Sequence, residues 1–126
     1  MQRTRILVVE DEPNIVESLR FILEQGGFDL DIVSDGREAL LRLRAGSFAA
    51  MVLDIMLPGL SGFDVLREVR GDSGLAGLPV IVLTAKGQPN DREMAESIGV
   101  SAFITKPFSN AEVVEAVRRH TGGADG

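Results

Sequence analysis

Strict alternation of short apolar runs with stretches of helical period predicts an α/β fold, a doubly wound five-stranded parallel sheet in the order 2-1-3-4-5 with five helices. Two further observations support it. Three of the five runs are almost continuously apolar, as strands covered on both faces must be, while the other two are more polar and suit the sheet edges. The 126 residues allow one domain with a real core and are too few for two.

Residues 5–9 (RILVV) form the first run, and the stretch after it places Ile15, Leu19, Ile22 and Leu23 on one face. Pro13 suits the first turn of that helix, and Gly26-Gly27 ends it. Residues 28–33 (FDLDIV) alternate as an edge strand, and Asp35 then opens a second helix with Ala39, Leu40 and Leu43 inward. Residues 49–53 (AAMVL) run into Asp54, and a third helix follows Gly62 with Val65, Leu66 and Val69. After 79–83 (PVIVL), Asn90-x-x-Glu93 and Ser109-x-x-Glu112 both read as capping boxes that open the fourth and fifth helices. The last strand, 101–105 (SAFIT), lies between them. Gly71-x-x-Gly74-x-x-Gly77 matches no nucleotide-binding spacing and reads as a flexible connection. Residues 1–120 are expected to form the domain, with 121–126 a flexible tail or linker stub.

Composition excludes several classes of function. Apolar runs reach about six residues, too short to cross a bilayer, and Arg3 and Arg5 precede only the run 6–9 before Glu10 interrupts it. The expected location is therefore the cytoplasm, with no membrane partner. The absence of cysteine removes disulfides, thiolate metal sites and cysteine nucleophiles. A net charge of −6 argues against direct nucleic-acid binding.

In such a sheet, ligands bind outside the carboxyl ends of the strands. The first strand ends in Glu10-Asp11, the third in Asp54 and the fourth in Thr84, and Lys106 follows the fifth. Three carboxylates converging on one edge require a proton or a cation, and an all-oxygen donor set selects a hard ion, above all Mg2+ if a phosphoryl group completes its shell. Asp54 then has the chemistry of an acyl-phosphate nucleophile, with Lys106 and Thr84 able to meet phosphoryl oxygens. Glu12 reads either as a third metal-site acid or, the reading that Pro13 beside it favours, as a charge stabilised by the helix dipole, and His120 as a solvated or dipole-stabilising residue near a helix end.

These residues carry a resemblance. Glu10-Asp11, Asp54, Thr84 and Lys106-Pro107, set in VVEDE at 8–12, LDIMLPGLSGFDVL at 53–66, VLTAK at 82–86 and ITKPF at 104–108, resemble the receiver domain of two-component response regulators. The likeness runs from Ile6 to about Arg119 and implies the flavodoxin-like form of the doubly wound fold. It implies that Asp54 accepts a phosphoryl group from a sensor histidine kinase or a histidine phosphotransfer protein. It further implies Mg2+ held by Asp11, by Glu10 through water, by Asp54 and by the backbone carbonyl of Met56. Thr84 and Lys106 would hold the phosphoryl oxygens, Lys106-Pro107 would be cis, and Phe103 would be the switch aromatic that moves with Thr84. On this reading the chain is not an enzyme in the turnover sense, although it assists its own phosphotransfer and slow autodephosphorylation. Its output would reach a downstream protein or a separate effector domain.

Three differences from the family pattern stand out. The acidic pair is Glu-Asp, Phe103 lacks a hydroxyl, and 99–103 lacks the acidic residues that many DNA-binding members use for dimer salt bridges. A phosphatase resembling the haloacid dehalogenase superfamily is the nearest alternative, but its second Asp is replaced here by Met56. A flavin-binding or other phosphorylation-independent binding module on the same fold is a further alternative, without a phosphate loop to support it. Met56 and Lys86, each two residues past a site residue, are expected to shield the acyl phosphate from water.

Overall fold

The computed structural model describes residues 4–85 and 88–122. Five strands and five helices alternate: β1 Thr4–Val9, α1 Pro13–Gln25, β2 Phe28–Val33, α2 Gly36–Ala45, β3 Ala50–Leu53, α3 Gly62–Gly71, β4 Val80–Thr84, α4 Pro89–Ile98, β5 Ala102–Thr105 and α5 Asn110–Thr121. All strand pairs are parallel, in the order β2-β1-β3-β4-β5. This is the doubly wound sheet that the alternation predicts.

Each face of the sheet carries its own core, because successive residues of a strand point to opposite faces. Leu7, Val9, Met51, Leu53, Val80 and Val82 pack under α2, α3 and α4 with Leu40, Leu43, Leu66 and Val69. Ile6, Val8, Ala50, Val52, Ile81 and Leu83 pack under α1 and α5 with Leu19, Leu23, Val113 and Val117. Helix α4 is the least embedded, with Ala95 its sole buried residue.

Three of the five helices, α2, α3 and α5, start on a side-chain cap, whereas α1 and α4 start on a proline without one. Asp35 and Ser61 accept from the Glu38 and Asp64 amides, and Ser109 and Glu112 form a reciprocal capping box. The expected box at Asn90 does not form. Pro89, which lacks an amide hydrogen, takes the first helical position, so the helix begins two residues earlier with Gln88 as its cap and Asn90 lies inside the first turn. Helix α5 also runs through Thr121, one residue past the expected boundary, before left-handed Gly122; residues 123–126 lie outside the described residues.

The Gly71-Gly74-Gly77 connection carries hydrogen bonds of its own. The Gly74 amide donates to Asp72 Oδ1 at 2.8 Å, and the Arg70 guanidinium donates to the carbonyls of Ala76 and Leu78 at 3.1 and 2.6 Å. Two other glycines permit close packing around the sheet edge. A Cβ at Gly62 would lie 2.5 Å from the Asp54 carbonyl oxygen, and one at Gly36 would lie 2.5 Å from that of Leu60.

Candidate functional site

The sheet ladder continues one residue beyond three of the strands. The Glu10 amide donates to the Val33 carbonyl at 3.0 Å, that of Asp54 to Val9 at 3.1 Å, and that of Lys106 to Thr84 at 2.8 Å. Glu10, Asp54 and Lys106 are thus positioned by sheet hydrogen bonds rather than by loops. They meet at the carboxyl edge, where Thr84, fully buried, ends β4. The Lys106-Pro107 peptide is cis.

Lys106 sits among three carboxylates. Its Nζ lies 2.9 Å from Glu10 Oε1, 3.0 Å from Glu12 Oε1 and 3.1 Å from Asp54 Oδ2, which uses all three ammonium hydrogens. The second oxygens of the two buried acids are also engaged. Asp54 Oδ1 accepts from the Met56 amide at 2.9 Å, and Glu10 Oε2 accepts from the Asp11 and Glu12 amides at 3.1 and 3.2 Å.

Burial raises the Glu10 carboxyl above the usual carboxylate range and Asp54's charge adds to this, against the lowering effect of the Lys106 hydrogen bond and charge and of the Glu12 amide. For Lys106, burial works to lower the ammonium. The hydrogen bonds to Glu10, Glu12 and Asp54, with Asp54's charge, outweigh burial and hold it above the ordinary lysine value. The ammonium therefore stays charged at neutral pH. Three carboxyl groups face one ammonium, so acidic groups are in excess at this edge.

That excess, and the chemistry of the donors, suit a hard divalent ion. Oxygens of Glu10, Glu12 and Asp54 all lie within 4.8 Å of one another, and no His or Cys belongs to this cluster among the described residues. Glu12, for which the metal-site role is the less favoured of two sequence readings, belongs to this cluster. It is the cap position of α1 but makes no side-chain cap hydrogen bond, and its carboxylate reaches Lys106 instead. Its position three residues past Val9, the end of β1, is the signal that favours the metal-site reading. Asp11 lies at the surface outside that cluster, beside a cleft lined by Ile55, Met56 and Phe63. The Met56 side chain is exposed at the mouth of the site, while Lys86 lies outside the described residues.

Phe103 is buried on β5, two residues before the Thr84–Thr105 pair, and the Arg92 guanidinium of α4 lies 5.3 Å from its ring centroid. His120 sits in the last turn of α5, away from the acidic edge. Arg70 and Arg92 carried no sequence signal, because their partners are a set of backbone carbonyls and an aromatic face from other elements.

Comparison with known proteins agrees with this arrangement. Residues 6–118 match the family model described as the response regulator receiver domain. The chain is 40% identical over 116 residues to the DNA-binding response regulator MtrA of Mycolicibacterium smegmatis, covering 92% of this chain and 50% of that protein. It is 36% identical over 124 residues to the sensory transduction protein RegX3 of Mycobacterium bovis, covering 97% and 53%. The chain thus spans about half the length of the curated relatives it matches. Among solved structures, the receiver domain of a sensor histidine kinase from Pseudomonas aeruginosa PAO1, with a magnesium ion coordinated in its active-site cleft, superposes with a TM-score of 0.89 at 30% identity. That match covers 97% of this chain and all (100%) of the other. A sensor protein from Polaromonas sp. JS666 gives a TM-score of 0.89 at 32% identity, covering 96% and 98%. With a family match over nearly its whole length and the acidic edge in place, the chain belongs to the response regulator receiver domain family, the phosphorylation-activated switch of two-component signalling.

Proposed function

We propose that Asp54 is the phosphoacceptor of this switch. The observation that carries the reading is the placement of Lys106 Nζ 3.1 Å from Asp54 Oδ2 in a pocket where both side chains are almost fully buried. Asp54 Oδ2 attacks the phosphorus of a phosphohistidine on a sensor histidine kinase or phosphotransfer protein. The P–N bond breaks, the electron pair leaves with the imidazole nitrogen, and an acyl phosphate remains on Asp54. Lys106 and the Thr84 hydroxyl then meet the phosphoryl oxygens, and the positions fixed by the sheet supply the orientation.

Glu10, through water, with Asp11, Asp54 and the Met56 carbonyl, would hold Mg2+. When bound, the ion neutralises charge that develops on the phosphoryl oxygens. The same residues support slow loss of the phosphoryl group to water, so the domain acts on itself and turns over no separate substrate.

Phosphorylation adds roughly −1.5 to −2 charges at the edge. Thr84 and Phe103 transmit that change, and the surface within residues 84–108 delivers it to a downstream protein or a separate effector domain. The domain's net charge of −6 favours protein partners over direct nucleic-acid contact; DNA contact by a longer protein would lie outside the matched residues. Among the described residues, no helix is long and apolar enough to cross a membrane.

The test is intact mass after treatment with acetyl phosphate, with and without Mg2+, for wild type and Asp54→Ala. A Mg2+-dependent gain of one phosphoryl group that disappears in the variant is the expected result. No gain under any condition would overturn the assignment of Asp54.

A further inference from the structure

We propose that Glu12 is a positioning residue that retains Lys106 when a divalent cation takes Glu10 and Asp54; the inference rests on the reading of this edge as a Mg2+ site. Lys106 bonds Glu10, Asp54 and Glu12 at once, yet the three acids differ in setting. The side chains of Glu10 and Asp54 are 2% and 4% exposed and that of Lys106 is 9% exposed, whereas Glu12 is 59% exposed. With the dication on Asp54 directly and on Glu10 through water, ammonium and dication draw on the same two buried carboxylates and repel each other.

Once displaced, the lysine is a buried cation that needs an anion, because leaving one partner of a buried pair alone is strongly unfavourable. Glu12 is the remaining carboxylate already bonded to it among the described residues. Its backbone is fixed: the Glu12 amide donates to Glu10 Oε2, and Pro13 follows as the first helical residue. Its side chain is free to follow the ammonium. Glu12 should therefore matter more to the cation-loaded state, where it holds Lys106 alone, than to the free state, where the lysine is shared three ways.

A double-mutant cycle separates this role from a general charge effect. Mg2+ affinity is measured by NMR titration with MgCl2, following the Met56 amide, which donates to Asp54. The set is wild type, Glu12→Gln, Lys106→Met, Lys106→Arg and the doubles, each first shown to give a dispersed amide spectrum. Glu12→Gln is expected to weaken Mg2+ binding about threefold beside Lys106, the scale of an exposed ion pair. It should do the same in the Lys106→Arg background, and have a clearly smaller effect beside Lys106→Met. An equal or larger effect in the Lys106→Met background would overturn the proposal, since Glu12 would then act only by its charge. An absence of any wild-type response to Mg2+ would instead overturn the metal site on which the proposal rests.

Discussion

Arg70 Nε donates to the Gly99 carbonyl at 2.7 Å, tying the end of α3 to the residue that caps α4. The same guanidinium reaches the Ala76 and Leu78 carbonyls, so one side chain joins three segments on the side of the sheet opposite to the acidic edge. Burial lowers its affinity for the proton without threatening its charge at neutral pH.

Arg70→Met should therefore cost about 2 kcal/mol of stability, from three charge-assisted bonds weighed against partial exposure of the carbonyls left behind. Urea denaturation gives the number. Amide exchange at Gly99 and Val100 should quicken by more than global destabilisation accounts for, and unchanged local protection would show that the strap is not what holds this corner.

Gly62→Ala should be among the most damaging single-methyl additions in the chain. The new Cβ would lie 2.5 Å from both the Asp54 carbonyl oxygen and Ile55 Cα, and neither is the far end of a flexible side chain. A loss of about 3 kcal/mol is expected, with a reduced rate of phosphoryl uptake because the backbone of Asp54 itself must move. A melting temperature within a degree or two of wild type would contradict the packing described here.

Met56→Asn should shorten the lifetime of the phosphorylated form. The Met56 side chain is exposed beside Asp54, where an apolar group excludes water and an amide would instead hydrogen-bond it. The decay of the phosphorylated mass with time, in excess Mg2+, measures the effect. Equal decay for both proteins would remove shielding from the role of this residue.

The raised Glu10 carboxyl predicts a pH signature in the metal-free protein. A carboxyl that holds its proton more tightly when folded penalises the fold as it ionises. The penalty is absent below the unfolded value of about 4.3, grows as pH rises toward the folded value, and is constant above it. Glu10→Gln should therefore match wild type near pH 4 and gain on it as pH rises to neutrality. Melting curves in EDTA across that window are the check, and a difference of constant size would rule the carboxyl out as its cause.

The parts of this molecule legible in sequence are those fixed by local pattern. Ser109 and Glu112 announce a capping box because both partners lie within one turn, and residues 49–53 announce a central strand because both of its faces are covered. The acidic edge was legible because parallel topology sends every strand end the same way. For Glu12 the helix-dipole reading is favoured because its partner, Lys106, is 94 residues away, and nothing local distinguishes a dipole charge from a cross-sheet bond. Asn90 was misread for the opposite reason, since two local start signals overlapped and the proline prevailed.

Helix α4 lends the core a single buried side chain, Ala95, while β3 and β4 are buried along their whole length. Substitutions over most of that helix carry little folding penalty, whereas the strands that aim Asp54 and Thr84 tolerate almost none. Sequence drift is thus channelled onto one outer helix, and recognition can diverge among descendants of this chain while the chemistry at the sheet edge is inherited unchanged.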